Sequence, residues 1–467
     1  NFSGIAFPYP SSFKAFFTSE NLVLAKALPQ SIKPNNIPAS TQEHTKLLLL
    51  DALACAYAGH KGEETAQLLQ VAKALSPGSK ESPVIGGEGL SLAGASLFNG
   101  YLITAVTMCD VHRECLTHIT PEIVPPALGI GYRDDVSGQV LLTALALGCE
   151  VATRVGIGLD YPVFRRKGWH GPGVLGPFGA AAPVGYIRGF DKDTMARAFA
   201  LAGSQAAGTF AAWGTPTVKF HQCRAALSGL LAALTAEQGF VATDKFLTAA
   251  DGGLYNTYAD GGLPNRVTDD LGERWELEQI ALRLWPSATA LQDVLTALFD
   301  LVSNNSFKFQ DIERVKINLN PTPVNMFGTL PNYKGKFEAL ISGHYVTAAY
   351  LRDSELTLRQ FEPDCYEASD LRQFAAERVD MIADNNIPGG KCVAELITKT
   401  GQKFTGSCDS PLGTPENPMS VEQVEDKFRT YSRDILPIDQ AEELLSLILN
   451  LENQGSVRAV IDLFNPR

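Results

Sequence analysis

The sequence predicts an α+β fold: a large all-helical domain with a smaller inserted α/β lid domain, the last helices rejoining the first domain. The chain has 467 residues, about twice the length at which one hydrophobic core stops growing, so two domains are expected. The hydrophobic pattern is helical before residue 273 and after residue 410, and between them it includes the two-residue period of strands. We therefore place the domain boundaries at 1–272, 273–410 and 411–467.

The first segment has the spacing of packed helices. DKDTMARAFALAGSQAAG places Met195, Phe199 and Ala202 on one helical face, and QVLLTALALGCEVATRVG is apolar nearly all round. The many Gly and Ala residues predict close helix contacts. The longest apolar stretches, such as 140–151, are about half the length that crosses a bilayer, so no membrane segment is expected.

The middle segment changes to sheet periodicity. ERVKINLN places Val315, Ile317 and Leu319 on one face, as a half-buried strand does. CVAELITKTGQKFTGS predicts two strands joined around Gly401. DLRQFAAERVDMIADN and the segment around HYVTAAYLRD are predicted as helices against that sheet.

The last segment returns to the helical pattern. Asp439 and Glu442 are spaced as a capping box, and Leu444 and Ile448 belong to one apolar stripe.

Charge and cysteine usage exclude several classes of protein. Lys plus Arg number 39 against 51 Asp plus Glu, for a net charge of −12, so the basic footprint of a nucleic-acid binder is missing. An anionic substrate then needs a local basic pocket. The eight cysteines form no C-x-x-C pair, which favours reduced thiols over disulfides, zinc or an iron–sulfur cluster. The N-terminus shows no signal-peptide pattern, so we expect a cytoplasmic protein, with an organelle or a removed N-terminal segment left open.

Four of the seven histidines fall within 110 residues, in breaks between apolar helices where a rigid scaffold presents reactive groups. They are His112, His118, His170 and His221, with Asp110, Lys219 and Arg224 beside them in sequence. A pocket formed by these residues suits proton transfer beside a carboxylate, because imidazole titrates near neutral pH and cations stabilise the developing charge. The alternative for each histidine alone is a cap or a satisfied interior polar group.

Other chemistries have weaker support. The stretch GPGVLG formally matches a dinucleotide loop but follows FRRKGWH rather than an apolar strand, so we interpret it as tight helix packing. His112 and His118 lie outside a metal-binding frame, and no G-x-S-x-G motif occurs. We expect catalysis without a metal or another cofactor.

Seven segments, in this order and spacing, resemble the MmgE/PrpD family, which includes 2-methylcitrate dehydratase, cis-aconitate decarboxylase and iminodisuccinate epimerase. They are LLLLDALACAYAG (47–59), FNGYLITAVTMCD (98–110), HITPEIVPPALG (118–129), GWHGPGVLGPFGAAA (168–182), KFHQCRAALSGLLAAL (219–234), LGERWELEQIALRLWPS (271–287) and SPLGTPENPMSVEQVEDKF (410–428).

The resemblance implies a helical domain built from both chain ends, a lid, a homodimer and cofactor-independent chemistry on small carboxylic acids. It places the active site between helical domain and lid. The matching positions are Asp110, His118, His170, Lys219 and His221.

The chain also departs from the family pattern at three places. An Asp-rich stretch is reduced to one Asp within residues 108–112, and residues 287–289 lack the His or Arg that usually follows closely. Residues 171–173 are Gly-Pro-Gly where the family shows Pro-Thr-Gly. We expect a substitute for the missing group, with His112 or the Ser287 hydroxyl as candidates, and we predict that these two residues, like Arg224 and Arg165, bind the substrate.

The leading hypothesis is a lyase, either a dehydratase or a decarboxylase, acting on a small di- or tricarboxylic acid. His170 or His118 would transfer the proton, Lys219 would hold a carboxylate with Arg224 or Arg165 as helpers, and Asp110 would orient a histidine. An isomerase using the same proton abstraction and a non-catalytic family member remain the alternatives. The aromatic residues Phe327, Trp285 and Tyr345 are interpreted as core residues.

Overall fold

The computed structural model describes residues 37–467, so the first 36 residues of the predicted helical domain lie outside the described residues. The first part of the described chain is dominated by helices, several capped by Ser or Asp side chains as at Ser91, Ser137 and Asp191. In chain order they are α1 (Ala39–Gly59), α2 (Thr65–Ala74), α3 (Leu92–Thr104), α4 (Thr120–Asp134), α5 (Gly138–Ile157), α6 (Tyr161–Arg166), α7 (Gly171–Ile187), α8 (Lys192–Gly203), α9 (Thr217–Glu237) and α10 (Leu254–Ala259).

Small residues let these helices approach closely, as the composition predicts. A Cβ at Gly148 of α5 would lie 2.9 Å from the carbonyl oxygen of Gly179 on α7, and one at Gly59 of α1 would lie 2.0 Å from that of Leu102 on α3. Helix α5 is long and apolar enough to span a membrane by length and composition alone. However, 94% of its apolar window is buried inside the protein, as expected of a core helix.

Short strands interrupt this helical segment, so the prediction that it is all-helical is wrong in detail. A hairpin pairs β1 (Ser82–Val84) with β2 (Gly87–Leu90) through a turn in which Gly86 has φ +71°, a conformation that favours glycine. Two residues of β3 (Val111–His112) pair antiparallel with β4 (Ile280–Ala281). This second pairing links the segment before α4 to the start of the middle segment.

The middle segment contains a four-stranded mixed sheet with the order β6–β5–β7–β8. The central strand β5 runs parallel to β6 and antiparallel to β7. Both strand predictions are confirmed, for ERVKINLN and for the hairpin around Gly401. The strands are β5 (Ile312–Leu319), β6 (Val379–Ala383), β7 (Cys392–Thr398) and β8 (Lys403–Cys408).

Helices flank this sheet, and the one predicted around HYVTAAYLRD is confirmed. The helix predicted for DLRQFAAERVDMIADN is wrong beyond Arg378, because VDMIA forms strand β6, whose backbone pairs with β5. Helix α11 approaches β8 closely, since a Cβ at Gly406 would lie 2.2 Å from the Ala297 carbonyl oxygen. The helices are α11 (Leu291–Asn304), α12 (Pro321–Phe327), α13 (Lys336–Leu340), α14 (Gly343–Asp353), α15 (Pro363–Tyr366) and α16 (Ser369–Arg378).

The last helices, α17 (Val421–Ser432), α18 (Ile438–Leu449) and α19 (Arg458–Ile461), return to the first part of the chain. On α17, the fully buried Lys427 forms an ion pair of 2.5 Å with Asp51 of α1. The predicted capping box is wrong, because α18 begins after Pro437 and Asp439 lies inside its first turn. The exact domain boundaries stay a prediction.

All eight cysteines lie within the described residues, where each is buried and free, and their reduced state stays a prediction.

Candidate active site

A cavity of about 470 Å³ lies between the helical part of the chain and the α/β segment. The helical part contributes residues at or just before the first turns of α4, α7 and α9. The α/β segment contributes α11, α12 and the loop before β7. Among its lining residues are His118, His170 and Lys219, which the sequence predicts as catalytic. The fold therefore brings these three together, and their roles in catalysis stay a prediction.

His118 is held in one tautomer. Its Nδ1 lies 2.7 Å from the carbonyl oxygen of Asp110, and because a carbonyl only accepts, Nδ1 carries the hydrogen. The lone pair is then on Nε2, the ring nitrogen left for the cavity. Burial, together with the nearby charge of Arg283, lowers the pKa of His118 to about 3. In the free protein this side chain is a neutral imidazole.

His170 forms a pair with His221. The two Nδ1 atoms are 3.0 Å apart, so one ring donates and the other accepts, and both cannot be protonated there without repulsion. Burial and the neighbouring His221 and His118 lower the pKa of His170 to about 3. His221 contacts His170 but is not among the lining residues, and its predicted catalytic role stays a prediction.

Three cationic side chains line the described part of the cavity: Arg113, Lys219 and Arg283. Lys219 is buried and pairs with Glu64 at 3.2 Å, and burial lowers its pKa although Glu64 opposes the shift. Arg283 is buried and donates to the carbonyl oxygens of Cys109 and Ser287, the latter at 3.0 Å. These groups form the local basic pocket that the acidic chain needs for an anionic substrate.

Asp293 is an acidic residue that lines the same cavity. It is buried on the first turn of α11, and Arg113 lies 3.4 Å from its carboxylate. Burial outweighs Arg113 and raises the pKa of Asp293 to about 6, so this carboxyl group can hold a proton near neutral pH.

Two non-glycine residues of the wall have left-handed backbone conformations. Thr107 has φ 58° and Leu116 has φ 39°. Such conformations cost energy and concentrate at functional sites, so their presence around one cavity supports its assignment as the site.

The predicted role of the Asp110 carboxylate is corrected by the geometry. That carboxylate caps α4, accepting from the backbone N–H groups of Ile119 at 3.0 Å and Thr120 at 3.1 Å and from the Thr120 hydroxyl. The backbone carbonyl of the same residue orients His118 instead. The sequence alone does not show whether the carboxylate or the backbone carbonyl of Asp110 contacts His118.

The structure also places the predicted substrate-binding residues outside the lining of this cavity. His112 lies between Cys115 Sγ and Glu276 Oε1, each at 3.0 Å, and lines a separate cavity of about 380 Å³. Although burial opposes it, these two partners raise the pKa of His112 to about 10. The hydroxyl of Ser287 donates to the Leu340 carbonyl oxygen, so it is committed to the backbone.

The two predicted arginine helpers also lie outside the lining of this cavity. Arg224 donates to the carbonyl oxygens of Gln205, Gly173 and Ala207. The guanidinium of Arg165 lies 3.3 Å from the centroid of the Phe210 ring, and the ring itself lines the cavity. Arg165 therefore contacts a residue that lines the cavity, whereas Arg224 joins the segment 205–207 to the start of α7.

Two features bear on cofactors. Within residues 37–467, no group of three or more His, Cys, Asp or Glu could hold a metal ion. The glycines of GPGVLG pack the start of α7, since a Cβ at Gly173 would lie 2.1 Å from the Ala207 carbonyl oxygen and one at Gly176 would lie 2.4 Å from Glu122.

Comparison with known proteins agrees with the resemblance found in the sequence. Residues 27–266 match the MmgE/PrpD N-terminal domain and residues 285–453 match the C-terminal domain, so the chain belongs to the MmgE/PrpD family. It is 27% identical to the cis-aconitate decarboxylase-like protein oryM of Aspergillus oryzae, over 93% of this chain and 95% of that protein. It is 23% identical to cis-aconitate decarboxylase of Aspergillus terreus (93% and 94% covered) and 26% identical to that of Homo sapiens (90% of each).

Sequence reasoning missed Arg113, Arg283 and Asp293. Arg283 and Asp293 flank the altered stretch WPSATALQ, and their proximity to that departure from the family was the available signal. Arg113 lies beside His112 within the predicted break.

Proposed function

We propose that the protein is a cofactor-independent lyase that removes CO₂ from a small unsaturated polycarboxylate by proton transfer. The observation that carries the proposal is the convergence of two neutral histidines, three cations and one protonatable carboxyl group on one cavity. The names of the relatives support decarboxylation rather than dehydration.

The cations hold the substrate. Lys219, Arg113 and Arg283 offer charge-assisted hydrogen bonds to carboxylates that remain in the product. A substrate carboxylate beside Lys219 would compete with Glu64, and one beside Arg113 would compete with Asp293. The substrate carboxylates would then replace Glu64 and Asp293 as the partners of these two cations.

The reaction then needs one proton. The carbon–carbon bond to the departing carboxyl group breaks, its electron pair moves into the conjugated system beside a retained carboxylate, and CO₂ leaves. A proton donor adds its proton to the carbon at the far end of that system. His118 Nε2 is our first candidate, followed by His170 and Asp293.

Substrate binding itself can charge the histidine. A carboxylate about 5 Å from an imidazole, at an effective dielectric constant of about 20, favours the imidazolium by about 3 kcal/mol, or roughly two pKa units. With two or three carboxylates in the cavity, the pKa of His118 would rise from about 3 toward the working range.

The test is proton NMR in D₂O with cis-aconitate, methylcitrate and related acids. We expect loss of CO₂ and one solvent deuteron in each product molecule. His118→Asn keeps an amide N–H in place of Nδ1–H for the Asp110 carbonyl but removes Nε2, and should lower kcat by about 10²–10⁴-fold. The matched control is His60→Gln, because His60 Nε2 bonds to the Ile85 carbonyl oxygen at 2.7 Å and lies outside this cavity.

Other outcomes would contradict the proposal. Exchange of a C–H proton without loss of CO₂ would indicate the isomerase, and loss of water would indicate the dehydratase. Binding without exchange or turnover would indicate the non-catalytic alternative. The homodimer and the cytoplasmic location stay predictions, which light scattering and cell fractionation can check.

A further inference from the structure

One side of the cavity is aromatic. Phe210 and Trp213 stack with their ring centroids 5.3 Å apart and their planes at 15°. Trp213 meets Phe327 edge to face at 5.7 Å. We refer to these three residues as the aromatic wall. Phe210 and Trp213 precede α9, whereas Phe327 ends α12, so the wall joins the two parts of the chain around the cavity. Phe327, interpreted from the sequence as a core residue, is buried but also lines this space.

The aromatic wall begins beside a proton-transfer candidate. The ring of His170 lies 5.9 Å from that of Phe210. The Arg165 guanidinium covers Phe210 at 3.3 Å and thereby fixes its orientation. A substrate whose carbon skeleton reaches His170 would therefore have any further substituent next to a preorganised apolar surface.

Two more apolar side chains face the same space without being absorbed into the core. Leu116 is 43% exposed and is held in the left-handed conformation, yet it lines the cavity. Met326 also lines the cavity and is only half-buried; its flexible thioether can adapt to ligands of different length.

The cavity has a larger volume than a six-carbon tricarboxylate would fill. A six-carbon tricarboxylate displaces about five water molecules, or roughly 150 Å³ at about 30 Å³ each, whereas the cavity measures about 470 Å³. The aromatic wall borders part of this cavity, and apart from the indole N–H of Trp213 its three side chains offer neither a charge nor a hydrogen-bond donor to another carboxylate.

We propose that the natural substrate carries, besides its carboxylates, an unbranched hydrocarbon substituent of about four to six carbons that packs against the aromatic wall. This inference rests on the proposed function for its reaction, but its binding component can be measured separately. Each buried methylene should raise kcat/KM about fourfold, up to the length at which the space is filled.

The experiment compares cis-aconitate with derivatives that carry methyl, butyl or hexyl groups on the methylene carbon. We expect kcat/KM to rise on the order of 100-fold from the unsubstituted acid to the butyl derivative. A kcat/KM that is flat or falls with chain length would overturn the inference.

Substitutions at Trp213 test whether the dependence of kcat/KM on chain length arises at the aromatic wall. Trp213→Ala should lower the butyl-to-unsubstituted ratio of kcat/KM by about tenfold, and Trp213→Phe, which keeps a ring, should retain most of it. The control Phe240→Ala removes a 60% exposed ring outside the cavity and should leave the ratio unchanged. If the ratio is insensitive to both Trp213 variants, the aromatic wall is not the binding surface.

Binding of unreactive analogues separates this inference from the proposed function. Tricarballylate and its butyl derivative cannot undergo the reaction, and calorimetry gives their Kd values. Tighter binding of the butyl compound without turnover of any unsaturated acid would support the subsite and refute the lyase. Turnover without a chain-length gain would do the reverse, and the absence of both effects would refute both.

Discussion

Replacing Lys427 by methionine would remove a buried charge next to the candidate active site. Its ammonium group pairs with Asp51 and also donates to the carbonyl oxygens of Met108 at 3.1 Å and Arg283 at 2.6 Å. Met108 immediately precedes the segment that orients His118, and Arg283 lines the cavity. The pair therefore connects α17, α1 and the cavity floor.

The expected loss is large because neither partner reaches water. The side chains of Lys427 and Asp51 are 1% and 0% exposed, and removing one partner of such a pair typically costs about 3–5 kcal/mol. Burial raises the pKa of Asp51, and Lys427 opposes that shift. In the variant the pKa of Asp51 would rise further, so its folded-state pKa lies above the unfolded value. The loss should therefore be smallest at low pH and should grow as pH rises through the folded pKa.

Urea unfolding followed by circular dichroism measures the effect. The matched control is Lys61→Met, since Lys61 and Asp434 form an ion pair of the same 2.5 Å length with both side chains 54% exposed, and its loss should cost less than about 1 kcal/mol. Asp51→Asn combined with Lys427→Met should cost at least about 2 kcal/mol less than the sum of the single changes. Equal losses for the Lys427 and Lys61 variants would refute the reasoning.

Three further predictions follow from the site and the packing. If Asp293 supplies the proton in place of His118, Asp293→Asn should lower kcat by about 10²-fold or more and abolish a decline of activity above pH 6, because the native pKa is about 6 and only the protonated form donates; an unchanged pH–rate profile would exclude Asp293 and leave the two histidines as donor candidates. The pKa of His112 is raised to about 10, so its protonation stabilises the fold below pH 6.5, and this stabilisation is lost as pH rises to about 10. Glu276→Gln should therefore make the unfolding free energy fall less steeply between these pH values. An equally steep fall in the variant would contradict the pairing of His112 with Glu276. Gly59→Ala should destabilise by about 1–3 kcal/mol because the new Cβ meets a carbonyl oxygen of α3, whereas Gly455→Ala, with nothing within 4 Å, should be nearly neutral in the same urea assay; equal effects would refute the packing argument.

Much of the fold follows from local patterns. The alternation in ERVKINLN and the apolar helix α5 are each visible in one short stretch of sequence. The strand β6 was missed because it follows α16 without any turn residue, and its pairing with β5 joins residues far apart in sequence. The break at Arg378 is therefore a tertiary effect, in which sheet pairing outweighs local helical spacing.

The site was predictable where its residues lie in visible breaks between helices. His118, His170 and Lys219 meet this condition, and the cavity brings them together. Arg283 and Asp293 lie in apolar surroundings that resemble core, so their role depends on which partners the fold supplies. Conversely, Arg224 had the expected residue type but is fully engaged by backbone carbonyls.

The pairing of α1 with α17 joins an early segment of the chain to a late one, so it can form only near the end of synthesis. Asp51 meets Lys427 only after 376 further residues have been added, which takes roughly 20–75 s at about 5–20 residues per second. Throughout that interval the carboxyl group of Asp51 lacks the ammonium group with which it pairs in the folded protein. Formation of this buried ion pair, and with it the packing of α17 on α1, is thus a late event in the synthesis of the protein.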